Sequence, residues 1–395
     1  MYNPNRRFWI LISIVGISGF SQGMLLPLIA VIFENSGITS TLNGFHATAM
    51  YIGALISSPF IEKPLRKLGY KPMIAIGTLL IIISLTVFPL WQAFWFWFVL
   101  RLIIGIGDQL LHFGTQTWIT ASSPIHKRGR NIAIYGFFFS VGFATGPLMT
   151  RFVSIHTYLP FWIAAGISLI AWLLLLTIKN EIPDKDDNDV DGKEDTSFNR
   201  FAKAWKLAWV AFLPPLGYGF LEASLHGNFP VYALRTGINV DQLSIILPTF
   251  AIGSLLTQMP LGVLSDIIGR KKLLLIIMFG GFTTFMIASI FETNFWGLFI
   301  CLSIAGMLVG STFSLGLSFM ADLLPKNLLP AGNILCGVCY SIGSIIGPFI
   351  GGLYIQLFPN GSFFYVISTV LLLIFISLVA FKQKGLKQAV HSPQP

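Results

Sequence analysis

Charge is what this chain lacks. Asp, Glu, Lys and Arg make up only 10% of its 395 residues, against roughly 25% in a typical soluble domain. With 54% hydrophobic residues and a mean hydropathy of +0.76, the composition excludes a water-soluble globular protein. Cysteine is scarce as well, at three residues, all within apolar segments. The Cys336-Gly-Val-Cys339 spacing matches half of a redox or zinc site, but no second pair exists, so all three cysteines read as small buried hydrophobes and no metal or cofactor is expected. Absent too are H-E-x-x-H, G-x-S-x-G and any ATP-binding motif, which argues against an intramembrane enzyme and leaves ion gradients as the driving force. The net charge of +9 does not indicate nucleic acid, because the basic residues sit in short loops between apolar runs.

Those runs are what the chain has in abundance. Stretches long enough for a hydrocarbon core of ~30 Å fall at about 8–33, 42–61, 72–90, 94–120, 131–153, 158–178, 207–234, 243–264, 273–291, 295–321, 331–357 and 363–381. The first, after Arg6 and Arg7, is too long for a signal-peptide core and is kept as a span. The expected fold is an all-α integral membrane protein of twelve transmembrane helices. With the N-terminus inside, twenty-two of the twenty-five Lys and Arg residues fall on the inner side, Arg151 and Arg235 fall outside, and Arg101 is intramembrane. This predicts cytoplasmic termini in a cell membrane. The segment 179–206, with eight acidic and six basic residues, reads as a solvated linker between two halves, 1–178 and 207–381, followed by a tail, 382–395.

The halves repeat. Gly69-Tyr-Lys71 corresponds to Gly269-Arg-Lys271 at an offset of 200, and Gly142…Gly146-Pro147 to Gly343…Gly347-Pro348 at 201. A parallel six-plus-six repeat is a transporter architecture with substrate bound at mid-membrane between two pseudo-symmetric bundles, and one chain holding both halves suits a monomer.

Ionisable residues inside apolar runs normally face a bundle interior or an aqueous path. Two such groups stand out. Arg101, Asp108 and His112 share one face of the fourth run; Tyr218, Glu222 and His226 do so on the seventh, at i, i+4 and i+8. A proton-coupled carrier needs a group that holds either a proton or the substrate, and a nearby imidazole can relay the proton. Asp108 is the first choice for that group and Glu222 the second; both also admit a structural reading. His112 and His226 read equally well as packing hydrogen-bond donors. His46 and Gln22 read as packing groups, and Glu34, Asp241, Glu292 and Asp322 as solvated helix ends. The aromatic cluster Trp91…Phe98 reads as an interfacial belt.

The sequence resembles the major facilitator superfamily over essentially its whole length. Gly262-Val-Leu-Ser-Asp266-Ile-Ile-Gly269-Arg270-Lys271 is similar to that family's signature loop, G-x-x-x-D-x-x-G-R-[RK]. The family usually carries its better copy in the first half. Here that copy reads Glu62-Lys-Pro-Leu-Arg66-Lys67-Leu-Gly69-Tyr70-Lys71, with Arg66 in the place of the acid. By pseudo-symmetry, Asp266 is expected to latch to the start of the fifth span, near Gly129–Asn131, in one access state. Gly142, Gly146 and Pro147 resemble the glycine-proline motif of drug/proton antiporters, but its full form, Gly347-Pro348-Phe-Ile-Gly351-Gly352, lies in the eleventh span, where it supports close packing. Arg101-x-x-x-Gly105-x-Gly107 is similar to a family motif linked to proton transfer. The resemblance implies a cavity lined by spans 1, 4, 7 and 10. The expected function is alternating-access, proton-coupled export of small amphipathic or cationic compounds, with import of a small metabolite by proton symport as the alternative. A non-transporting sensor would tolerate loss of the Gly262–Lys271 loop, which is intact here.

Overall fold

The structure, a computed structural model, describes residues 4–183 and 197–381. Most of the predicted linker and the whole tail lie outside the described residues. Among the latter, no strand occurs. The first half comprises α1 (Pro4–Asn35), α2 (Ser40–Ser57), the short α3 (Glu62–Leu68), α4 (Tyr70–Val87), α5 (Phe94–Ser122), α6 (Ile125–Thr145) and α7 (Leu159–Leu176). The second comprises α8 (Ser197–Gly227), α9 (Phe229–Arg235), α10 (Val240–Ile268), α11 (Arg270–Ala288), α12 (Phe295–Val309), α13 (Thr312–Leu323), α14 (Leu329–Leu357) and α15 (Phe364–Ala380).

Among the described residues, nine helical stretches are long and apolar enough to cross a bilayer, and α15 is a shorter apolar helix. The other two predicted crossings coincide with α2 and with α8–α9, whose apolar character is diluted by polar residues such as Asn43 and His46 in the first and Glu222 and His226 in the second. α8 is kinked at Ala208, where φ −129° and ψ 20° leave the helical region, one residue after the predicted start of the seventh span.

The internal repeat extends to the backbone. The described glycines with positive φ are Gly37, Gly69, Gly237 and Gly269, two pairs separated by 200 residues. Each ends a helix in a conformation that an L side chain resists. The helices that follow Gly37 and Gly237 start with side-chain caps: Thr39 accepts from the Leu42 amide, and Asn239 forms a capping box with Gln242.

Each half has its own apolar core. One is built from residues such as Leu11, Met73, Ile104 and Phe161, the other from Phe212, Leu247, Met278 and Leu371. Large apolar side chains remain exposed along the outer faces of α4, α7, α12 and α15, as lipid contact requires. The predicted aromatic belt divides. Trp91 and Trp95 are exposed, but Trp97 is fully buried, donates its indole N–H to the Phe88 carbonyl at 3.0 Å and stacks on Phe33. One tryptophan of the cluster is therefore a core residue.

The start of the predicted linker is docked. Asn180 accepts from the Lys71 amide and donates to the Leu68 carbonyl, while the Lys71 ammonium donates to the carbonyls of Leu176 and Ile178. Glu181 pairs with Arg7 of α1 and accepts the Trp118 indole N–H at 2.5 Å, and the Arg7 guanidinium lies over the Trp118 ring. A solvated tether was expected from residue 179. Asn180 and Glu181 instead join the ends of α1, α4 and α5.

Candidate functional site

The two halves meet closely at one end of the molecule and part at the other. At the closed end Glu34 and Arg235 form a two-point ion pair, 2.7 and 3.0 Å, between α1 and α9. Asn43 donates to the Gly227 carbonyl at 2.7 Å, and Arg151 reaches Ser244 at 3.2 Å. Between α2 and α14 the approach is so close that a Cβ on Gly44 would sit 2.0 Å from the Pro348 oxygen, and one on Gly352 2.2 Å from the Ser40 oxygen. Only residues without side chains permit this contact. The family motif in α14 thus packs across the two halves. Glu34, expected to be a solvated end, is part of this seal. Glu292 is also engaged, accepting from the Tyr232 hydroxyl.

At the other end, where the Lys- and Arg-rich loops lie, a cavity of about 570 Å³ separates the halves. Gly105, Asp108, Gln109, His112 and Gln116 form its α5 wall, at spacings that keep one helix face together. Gln22 of α1, with Met50, Tyr51, Ala54 and Leu55 of α2 and Ser58 just beyond it, completes that side. Phe313 of α13 and the α14 residues Ile334, Gly337, Val338, Tyr340 and Ser341 face them. Helices α2 and α14 therefore replace the expected seventh span in the wall, because the glycine contact that seals the far end also brings these two helices to the centre.

Asp108, 6% exposed, accepts the Ser18 hydroxyl on Oδ1 at 2.7 Å. Its Oδ2 has no hydrogen-bond partner among the described residues. His112 lies beside it, with Nε2 3.1 Å from Ser18 and 3.0 Å from the Gln22 amide, and with Nδ1 2.6 Å from the Tyr135 hydroxyl. Ser18 spends its one proton on Asp108, so the Gln22 N–H supplies His112 Nε2 and the ring proton lies on Nδ1, facing Tyr135. The chain Asp108–Ser18–Gln22–His112–Tyr135, in which the Gln22 amide donates to both Ser18 and His112, thus joins three helices. Gln22, read as a packing group from sequence, belongs to the site. Ser18, Tyr135 and Tyr340 were missed. The first was legible, since Ser18 and Gln22 are four apart in an apolar run; the others required the fold.

Arg101 is not brought to Asp108. Seven residues along a helix is about 10 Å of rise, and the guanidinium instead lies 3.0 Å from His46 Nδ1, 1% exposed, outside the cavity lining. Glu222 sits behind the opposite wall. Its two oxygens accept from Tyr218 at 3.2 Å and Tyr340 at 2.6 Å, and Tyr340 itself lines the main cavity. His226 turns its Nδ1 to the Glu222 main-chain oxygen at 2.9 Å, not to the carboxylate, and packs its ring against Phe143. With Tyr218 and Glu222 it lines a separate small pocket of about 40 Å³.

The Major Facilitator Superfamily profile matches residues 11–239 and 216–394, nearly the whole chain. The chain belongs to the major facilitator superfamily. It is 52% identical, over 96% of both chains, to the uncharacterized MFS-type transporter YfkF of Bacillus subtilis (strain 168). It is 27% identical, again over 96% of both, to Multidrug resistance protein 1 of the same organism. Among solved structures, the nucleoside transporter NupG superposes with a TM-score of 0.78 at 15% identity, covering 95% of this chain and 100% of its own. A bacterial homologue of the human lysosomal transporter Spinster, in an inward-facing and unoccupied conformation, gives 0.70 at 16%, covering 96% and 94%. The protein is thus a multi-pass membrane transporter, not an enzyme, with the two-bundle fold of this superfamily.

The superfamily's signature loop can now be located. Asp266 is 3.4 Å from Arg270 one turn on, and Arg270 reaches Asp322 of α13 at 2.5 Å and the Ser318 carbonyl at 2.8 Å. Asn131, in the region where a latch was expected, donates to Ser123 within its own half. In the arrangement with the basic end open, the loop is therefore bound within the second half. In the first-half copy, Arg66 forms a local pair with Glu62 at 2.7 Å. Asp322, expected to be solvated, is the partner of Arg270.

Proposed function

We propose that this transporter exports small amphipathic or cationic compounds in exchange for protons, with Asp108 as the coupling carboxylate. The observation that carries the reading is the state of that group. It lines the cavity between the halves, has one oxygen held by Ser18 and the other without a partner among the described residues, and adjoins an imidazole linked to Tyr135. A buried carboxylate without a cationic partner is stable only if it takes a proton or a cation, and competition between the two couples their fluxes. Arg101 and His226 serve as supports, holding α2 against α5 and capping α8. The basic end faces the cytoplasm by the positive-inside rule, so both termini are cytoplasmic and the cavity opens inward. Opening the Gly44–Pro348 seal exposes the site to the other side, and one chain suffices for the cycle. The 27% identity to Multidrug resistance protein 1 supports export.

Inside-out vesicles with an imposed pH gradient and a pH-sensitive dye test this. Adding a lipophilic amine is expected to dissipate the gradient in wild type and not in Asp108→Asn. Equal dissipation by the variant would remove Asp108 from coupling. The amides of Gln22, Gln109 and Gln116 around the cavity favour a second reading, proton-coupled import of a polar metabolite. It predicts solute-dependent proton entry in right-side-out vesicles instead.

A further inference from the structure

The cavity has two unlike walls. Carboxylate, imidazole and three primary amides lie on the α1/α5 side, and Phe313 and Tyr340, whose rings meet edge-on at 5.5 Å, lie on the α13/α14 side with Gly337 and Val338. A ligand spanning this space presents a hydrogen-bonding head to one half and an aromatic face to the other. A volume of about 570 Å³ suits a drug-sized molecule.

The two intramembrane carboxylates differ in how far their oxygens are hydrogen-bonded. Glu222 has both oxygens occupied, by Tyr218 and Tyr340. Asp108 keeps Oδ2 without a partner among the described residues, and that atom is itself covered by its surroundings. Only a small group can reach it: a proton, or an N–H delivered from the cavity as the carboxylate turns about its soft terminal torsion. A nitrogen sheathed in methyl groups brings charge but no hydrogen, and its bulk keeps the charge away from a covered oxygen.

We infer that the cavity recognises an aromatic compound whose cationic nitrogen carries at least one hydrogen, an arylalkyl-ammonium or amidinium, with that N–H donated to Asp108 and the ring system against Phe313 and Tyr340. This rests on the reading that the cavity is the transport site. It separates protonated amines from quaternary ammonium and phosphonium ions, which the reading of a cation exporter does not.

The test is equilibrium binding to the full chain in nanodiscs, without any gradient and with protein-free discs subtracted. The probes share one anthracenylmethyl group bearing an amine, a dimethylamine, a trimethylammonium or a neutral hydroxyl. Charge-assisted hydrogen bonds are about twice as strong as neutral ones, so the amine and dimethylamine should bind at least about tenfold tighter than the trimethylammonium and the alcohol. Asp108→Asn should remove that preference, Asp108→Glu should retain part of it, and Phe313→Ala should weaken all four probes without changing their order. Trimethylammonium binding as tightly as the amine, a preference that survives in Asp108→Asn, or no binding by any probe would overturn the inference. Because no proton flux is read, a failure here leaves the vesicle result standing, and a failure of proton exchange leaves the N–H preference measurable.

Discussion

Gly44→Ala should open the closed end of the transporter. The added Cβ would lie 2.0 Å from the Pro348 oxygen and 2.8 Å from its carbon, and main chain cannot swing aside as a side chain does. To reach even 3.0 Å, α2 and α14 must separate by roughly an ångström along that contact, disturbing the neighbouring Gly352–Ser40 approach and the Asn43–Gly227 hydrogen bond. Overpacking of this kind costs about 1–3 kcal/mol. The contact joins the two halves, so the cost falls on the state in which this end is closed and is relieved when it opens. A bias of that size shifts the two-state equilibrium about 5- to 150-fold. Spin labels at Asn35 and Asp241, both exposed near this end, would report it as growth of a longer-distance population in double electron–electron resonance. Native cysteines interfere little, because Cys301, Cys336 and Cys339 are buried. Gly166→Ala, where a Cβ meets nothing within 4 Å, is the control. An unchanged distance distribution in folded Gly44→Ala, or the same shift in Gly166→Ala, would refute the idea that this contact is the seal.

Glu34→Gln should shift the same distance distribution less than Gly44→Ala does, by about 0.2–1 kcal/mol, because Arg235 is part-exposed, and the wild-type pair should weaken with added salt. Glu181→Gln should lower thermal stability in detergent by about 1–3 kcal/mol, since it strips a carboxylate from the nearly buried Arg7 and weakens the Trp118 contact; an unchanged melting temperature would show that the docked linker start contributes nothing. Asp266→Asn should leave the stability of the state described here within about 0.5 kcal/mol of wild type, as the side chain is exposed and its contact with Arg270 is long. If Asp266 is the latch of the opposite state, labels across the basic end should show that state depleted.

The all-helical membrane fold, the internal repeat and the transporter class were legible because bilayer chemistry leaves so few alternatives. Any segment that crosses must be apolar, helical and about twenty residues long, and loop charge orients it. The face shared by Asp108 and His112 was legible for the same reason that helices are: residues four apart align. The alignment misled for Arg101, because sharing a stripe is not sharing a depth. One helical face runs past several environments, and His46 on α2 met the guanidinium first. Glu222 and His226, four apart on α8, did not pair through their side chains either, because the imidazole found a main-chain oxygen and two tyrosines from α8 and α14 filled the carboxylate. Which carboxylate keeps an unsatisfied atom, which helices wall the cavity and which end is sealed depend on contacts between residues far apart in the chain, 90 positions for Ser18 and Asp108 and 118 for Glu222 and Tyr340. Sequence periodicity carries no information about such pairs. Sequence determined which residues must avoid lipid, and only the tertiary packing decided what each of them found there.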